Sequence, residues 1–417
     1  MRASSLLIAS LITAATIPVA SVSFEKTPQA LHDGKSAKSP KFISRRAQGL
    51  LSIYTVPAER GADLYYSSSS DIGDSWSEPQ RINHIPGEVS DHGENSPQVF
   101  LSPDEMTLYA FWNARDPKNP AASHVRFSKG SAMMTTWSPA VTIDDDPAPN
   151  SHGFQGAAVG PDGTLYAAWL DGRDKEASKT LDYTAGASAV YLTTSKDGGK
   201  TWSKNQRIAI NVCPCCRVSF GFTGNKAVVA WRGVDNGDLR DIYTAVSEDA
   251  GANWSQPNLV NRDNWKIKGC PHVGPSLASV GDKIFVVWFS EANGNPGIFF
   301  TSTTNGKDFA PKRTFSDGTV DPTHPYVASF ENRLAVAFQA RDAKDKDSWG
   351  KMNIYYRELN STGALTPLVK AGSPKEGAVT YPSLALGMSG RTFLGWTETR
   401  GEKGPQAHLL RGRFGVR

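Results

Sequence analysis

No block of like charge interrupts this chain of 417 residues: 45 Lys and Arg and 41 Asp and Glu are scattered along its whole length, for a formal charge of +4. Nucleic-acid binding wants a concentrated basic stripe or a recognisable module, and neither is present, so that class is set aside. Beyond the N-terminus there is no second long hydrophobic run, and no membrane span is expected in the mature chain. Cysteine is scarce, with four residues, and histidine only twice as common, with eight. What is abundant is 38 Gly, 26 Pro and 11 Trp, a composition that suits many short strands and tight turns and not a helical chain.

Met1 and Arg2 precede an apolar run from Leu6 to Ala20 that ends in Ser21, Val22 and Ser23. It reads as a signal peptide over residues 1–23, cleaved after Ala20, Ser21 or Ser23. A retained transmembrane helix wants ~20 predominantly apolar residues, and this run is shorter. A secreted or periplasmic location follows. Residues 24–39 read as a loose lead-in, and 40–417 as one domain.

The chain repeats itself. A strand ending near Trp or Phe recurs at 108–116, 165–174, 227–235, 284–292, 334–342 and 392–400. These strands alternate weakly between apolar and polar residues, as strands covered on both faces do. Their spacing suits four-stranded antiparallel blades of a β-propeller. With 39–56 as a worn first copy the count is seven, and six is the alternative.

A second signature, S-x-D-x-G-x-x-W, stands at Ser69-Asp71-Gly73-Trp76, Ser195-Asp197-Gly199-Trp202 and Ser247-Asp249-Gly251-Trp254, with degenerate copies ending at Trp137 and Phe309. A short Asp side chain accepts backbone N–H groups in a turn, Gly supplies positive φ, and Trp packs between sheets. Recurrence in several blades marks these aspartates as structural, because a single active site does not repeat. With these boxes the chain resembles the sialidase (neuraminidase) superfamily from about residue 40 to the C-terminus. The resemblance implies an all-β propeller and does not by itself transfer an activity.

In such a propeller the residues before each innermost strand ring one mouth of the central channel. Here they are Asp91 to Asn95, His152 to Gln155, Cys213 to Arg217, Cys270 to His272, Asp321 to His324, and Thr380-Tyr381. The exits of the second strands add Arg115, Arg232, Arg341 and Glu398. All four cysteines and four of the eight histidines thus fall on one rim.

The resemblance implies a glycosidase in which arginines hold a substrate carboxylate, a Tyr paired with a Glu is the nucleophile and an Asp is the acid/base. Tyr381 with Glu398 matches the nucleophile segment, Glu94 with Arg115 matches a segment supplying a glutamate and an arginine, and Asp91 is the acid. A carboxylate clamp would combine Arg115, Arg217 and Arg341, since the planar guanidinium binds carboxylates bidentately. The family's opening arginine has no match; the nearest segment is Phe42-Ile43-Ser44-Arg45. The implied ligand is a glycan, such as a sialoside, or another small anion, and the implied hydrolysis needs no cofactor.

The cysteines admit a different reading. Cys213, Cys215 and Cys216 stand in one segment, with Cys270 and His272 opening the next blade. In an exported chain they suit disulfides, with a bridge from the 213–216 segment to Cys270 favoured. As thiolates, joined by His272, His92, His152 or His324, they suit copper or zinc. The protein would then be a non-catalytic scaffold or a metal handler.

Overall fold

Second strands of the repeats are buried along their middles, and Leu165–Asp171 from end to end, because a neighbouring sheet covers each face. The computed structural model describes residues 21–415 except 47–48, 120, 133–135, 175–187, 236 and 346–350. Most of the expected signal peptide, 1–20, lies outside the described residues. Among the described residues run seven successive antiparallel meanders, with innermost strands Lys38–Ser44, Gln98–Leu101, His152–Val159, Ser219–Thr223, Ser276–Val280, Thr319–Phe330 and Ala378–Leu386. Each innermost strand packs on the next, and the last packs on the first, so the ring closes into an all-β propeller. The sheets number six because the short strand Val89–Ser90 joins the first two meanders into one nine-stranded sheet.

Residues 24–39 are partly ordered into the last sheet. Val22–Phe24 and Gln29–Ala30 both pair antiparallel with the C-terminal strand Pro405–Phe414. Segments 22–24 and 29–30 thereby lie beside the last strand in one sheet.

Between the sheets stand Trp112, Trp169, Trp231, Trp288 and Trp396, all fully buried, with Phe338 in the same role in the sixth meander. Each aromatic of this kind buries ~150–250 Å², which at ~25 cal/mol per Å² stabilises by at most ~4–6 kcal/mol.

The repeated aspartates hold their turns. In the box of the third meander, Ser195 Oγ donates to Asp197 Oδ1 at 2.8 Å, and Gly199 N–H donates back to Ser195 Oγ at 2.8 Å. Thr201 N–H donates to Asp197 Oδ1 at 3.0 Å, and Gly199 has φ 77°. The boxes at Asp71 and Asp249 repeat this geometry. In the fifth meander Asn305 takes the aspartate's place between Thr303 and the N–H groups of Lys307 and Asp308. Donors from Ser75 and Thr201 hold the carboxyls of Asp71 and Asp197 well below the usual carboxylate range. They are fixed anions at the outer turns and line no part of the central cavity.

Candidate active site in the central cavity

Every meander contributes a segment to one central cavity. The wall includes Ser39 to Phe42, Gly93 and Glu94, Gly156, Arg217, Ser276, His324 to Tyr326, and Tyr381.

Four innermost strands enter through the same local device. The strand register slips between Lys38 and Lys41, Gly153 and Gly156, Thr323 and Tyr326, and Thr380 and Ser383. Within each slip sits a residue of left-handed backbone: Ser39 (φ 54°), Phe154 (φ 54°), His324 (φ 50°) and Tyr381 (φ 48°). Bulges re-aim side chains beside active sites, and a non-glycine residue in this region costs ~1–3 kcal/mol. Four repeats of an unfavourable conformation at one mouth, outside any glycine, are a functional signature in the direction that inference runs best, from observed strain to site.

Charge is concentrated on one side. Glu94 is 4% exposed; its carboxylate accepts from Arg217 Nη1, and from Gly274 N–H at 2.7 Å. Arg217 Nη2 donates to the Pro325 carbonyl at 2.7 Å. Four meanders are tied through this pair. Lys41 lies 5.3 Å from the centroid of the Tyr326 ring and makes no ion pair among the described residues. Burial, reinforced by Arg217, brings its ammonium down to about 8.

Beside the Glu94–Arg217 pair stand an imidazole and a phenol. The His324 and Tyr381 rings meet edge to face at 4.6 Å. Both ring nitrogens of His324 are buried with no side-chain partner among the described residues, and the His272 backbone, close by, acts only weakly against the effect of burial. Burial lowers the His324 pKa, keeping the ring neutral, and burial followed by the Glu94 charge raises that of Tyr381, keeping the phenol protonated.

The residues singled out from the sequence divide. Tyr381, Glu94 and Arg217 line the cavity. Glu398 does not: its Oε1 accepts N–H groups from Lys375 at 2.6 Å and Glu376 at 2.7 Å, and Oε2 faces His408 at 3.2 Å. It sits on a strand that puts its side chain against a turn and not toward Tyr381, so the expected Tyr381–Glu398 pair is not assembled, and the carboxylate nearest in effect to Tyr381 is Glu94. Asp91 stands behind the wall, accepting Ser39 Oγ at 2.9 Å and Thr55 Oγ1. Arg115 lines an adjoining groove with Asp91, His92 and Arg60. Arg341 pairs with Asp321. The three-arginine clamp is therefore dispersed, and Arg217 is the one arginine of the cavity wall among the described residues.

The sequence reading missed Lys41. The family's opening arginine had no match there, and Arg45, in the nearest segment, turns its guanidinium to the carbonyls of Glu105 and Ala132. The available signal was the dipeptide that precedes it: Ser39-Pro40, His324-Pro325 and Tyr381-Pro382 each place a left-handed residue before proline at an innermost strand.

The cysteines do converge. Sγ atoms of Cys213, Cys215 and Cys216 lie 3.6, 3.6 and 3.9 Å apart, and Cys215 also groups with Cys270 and His272. All four are free thiols, so the expected bridge to Cys270 is not formed in this structure. His92 stacks edge-on against Phe154, and His152 is buried between Asp146 and Asp171, stacked on His124. Neither imidazole joins the sulfurs, nor does His324.

A family model described as a BNR repeat-like domain matches residues 57–386. The chain belongs to this family. No curated protein matches the BNR repeat-like chain in sequence. Among solved structures, it resembles an ulvan lyase from a new family of polysaccharide lyases (TM-score 0.59, 11% identity, 92% of this chain and 96% of that one). It also resembles polysaccharide lyase Uly1 (TM-score 0.54, 9% identity, 92% and 91%) and the α-L-arabinofuranosidase of Fusarium graminearum with arabinobiose (TM-score 0.51, 12% identity, 80% and 96%). At such identities the likeness establishes the sialidase-like propeller fold of this BNR repeat-like domain and nothing finer.

Proposed function

We propose that the central cavity binds an acidic polysaccharide and cleaves it by β-elimination next to a sugar carboxylate. The observation that carries this reading is the His324–Tyr381 pair, a neutral imidazole with unpartnered nitrogens against a protonated phenol. Two-carboxylate hydrolysis wants a second acid ~5–10 Å from the first, whereas Glu94 is the only carboxylate among the described residues lining the cavity, and Arg217 already holds it. Elimination wants a base, an acid and a cation. Neutral His324 takes the proton from the carbon bearing the carboxylate. The electron pair forms the ring C=C bond as the neighbouring C–O bond breaks, and Tyr381 gives its proton to the departing oxygen. Lys41, with no ion pair of its own, neutralises the carboxylate as charge builds on it. The adjoining groove offers Lys38, Arg60 and Arg115 together with Glu88, Asp91 and Asp116, a mixed set of charged and hydrogen-bonding groups for further sugars.

The lyases and the arabinofuranosidase that share the fold act on glycans by name, which supports a glycan ligand here. The apolar segment 6–20 supports an exported protein that meets its polymer outside the cytoplasm. Incubation with a panel of uronic-acid polysaccharides tests the proposal: elimination produces an unsaturated sugar that absorbs in the ultraviolet. New reducing ends without that absorbance would mean hydrolysis and overturn the mechanism. Turnover of a fluorogenic sialoside would instead return the site to the sialidase reading, with Tyr381 as nucleophile.

A further inference from the structure

Cys213, Cys215 and Cys216 are 0%, 3% and 0% exposed, and their three sulfurs form a nearly equilateral triangle with edges of 3.6 to 3.9 Å. Zinc–thiolate bonds of ~2.3 Å in a tetrahedral centre put sulfurs ~3.8 Å apart, so the triangle already has the dimensions of one face of such a centre. At the Cys215 corner of the triangle, Cys215 Sγ, Cys270 Sγ and a ring nitrogen of His272 all lie within 4.8 Å of one another, and Cys270 and His272 are exposed. We propose that Cys213, Cys215, Cys216 and Cys270 together bind a soft closed-shell metal ion, Zn(II) or Cu(I), at the wall of the propeller, independently of the glycan chemistry of the cavity.

Three features favour a metal over a packed cluster of thiols. Arg240, fully buried, points Nη1 at Cys213 Sγ from 3.3 Å, and its Nε has no partner among the described residues. A guanidinium aimed at sulfur stabilises an anionic sulfur, and a centre of one ion and several thiolates carries net negative charge. Val234 and Phe154 pack against the sulfurs, with Arg232 and the Arg240–Asp238 pair as the charged groups nearby, and the apolar packing suits soft ligands and soft ions. Finally, three sulfurs reach this point from four consecutive residues because Cys213 N–H is tied to the Arg232 carbonyl at 2.9 Å, which turns the Cys213-Pro214-Cys215-Cys216 segment back on itself. Residue 217, directly after this segment, is the cavity's arginine, so an ion here would also stiffen the base on which Arg217 stands.

The test uses the full chain purified under reducing, anaerobic conditions. Elemental analysis reads bound zinc and copper per chain, and separate titrations with Zn(II) and Cu(I) against chromogenic chelators identify which ion is held more tightly. One equivalent retained, with intense thiolate-to-metal absorption after Co(II) substitution, is the expected result. Cys213→Ser and Cys270→Ser should each weaken retention at least ~100-fold, and Arg240→Met, which acts from outside the ligand set, ~10-fold. Circular dichroism checks that each variant is folded, and the wild-type stoichiometry decides the matter even if the buried variant is not. Four thiols that all react while no ion is retained would overturn the proposal, as would a Cys213–Cys216 disulfide found by mass spectrometry. So would undiminished retention in Cys270→Ser. None of these outcomes bears on polysaccharide cleavage, which is read separately.

Discussion

His324 and Tyr381 sit at equivalent bulges of neighbouring innermost strands, both with left-handed backbone, and their rings meet edge to face 4.6 Å apart. Two strained positions in register are what bring an imidazole and a phenol from 57 residues apart in sequence onto one substrate-sized gap. General acid and base groups each contribute ~10²–10⁴-fold to rate. His324→Ala and Tyr381→Phe are therefore each expected to lower kcat/KM on the cleaved polysaccharide by at least ~100-fold. Their thermal midpoints should hold or rise, since His324→Ala removes two unpartnered nitrogens and Tyr381→Phe removes one hydroxyl. Steady-state kinetics beside a melting curve separates this outcome from simple unfolding.

Lys41 governs the alkaline limb. Its ammonium is held down to about 8 by burial and by Arg217, so the cation is present below that pH and lost as pH rises through it. His324, lowered by burial, is already neutral across the same range and sets only the acid limb. Turnover should decline above pH about 8. Lys41→Arg keeps its charge at any of these pH values and should carry the decline to higher pH, with some loss of rate from the altered geometry. A pH profile of kcat/KM that is the same in both proteins would remove Lys41 from the chemistry.

Much of the propeller could be read from residue order, because its signals are local. A box such as Ser247-Asp249-Gly251-Trp254 closes its own hydrogen bonds within five residues, so spelling and structure coincide. Rim positions were legible for the same reason: Glu94, Arg217, His324 and Tyr381 follow from where an innermost strand begins. Roles were not. Whether a rim side chain enters the cavity depends on bulges that shift the period of two by a residue, and a one-residue shift turns a side chain to the opposite face. That shift admits Lys41 to the cavity wall. Glu398 fails for a different reason, since three backbone N–H groups at 375–377 compete for its carboxylate and those donors have no sequence signature.

Glu398 thus makes a prediction opposite in kind to a nucleophile's partner. Burial pushes its pKa up, but the backbone donors at 376, 377 and 375 together outweigh burial and leave it below the ordinary value. A depressed folded-state pKa contributes stability that is present above the unfolded value and is lost as pH falls through the folded one. Glu398→Ala should lower unfolding free energy by ~1.5–3 kcal/mol at neutral pH, the cost of losing hydrogen bonds from backbone N–H groups to a charged carboxylate, and the deficit should shrink toward acid. Urea denaturation at neutral and acid pH measures both. At temperatures where the variant is folded its kcat should stay within about twofold of wild type; a loss comparable to that of Tyr381→Phe would restore Glu398 to the active site.

Gly93 offers the sharpest test of how the phenol is aimed. Its φ is 57°, and a Cβ there would overlap the Tyr381 hydroxyl and come within 2.8 Å of Cζ. The ring is the far end of a side chain whose backbone N–H is already fixed, by donation to Gln339 Oε1 at 2.9 Å, so it can relieve the overlap only by swinging away from Gly93. Gly93→Ala should then displace the Tyr381 hydroxyl by ~1 Å, enough to cost ~100-fold in rate for a group that must meet a departing oxygen. The strain of an alanine at positive φ adds a stability loss of ~1–2 kcal/mol. The combination Gly93→Ala with Tyr381→Phe is the discriminating protein. If Gly93 acts through the hydroxyl, the double variant should be no slower than Tyr381→Phe alone, because the group being misplaced is already gone. Multiplicative losses would instead mean that Gly93 shapes the cavity for the sugar itself, and that the phenol is aimed by something else.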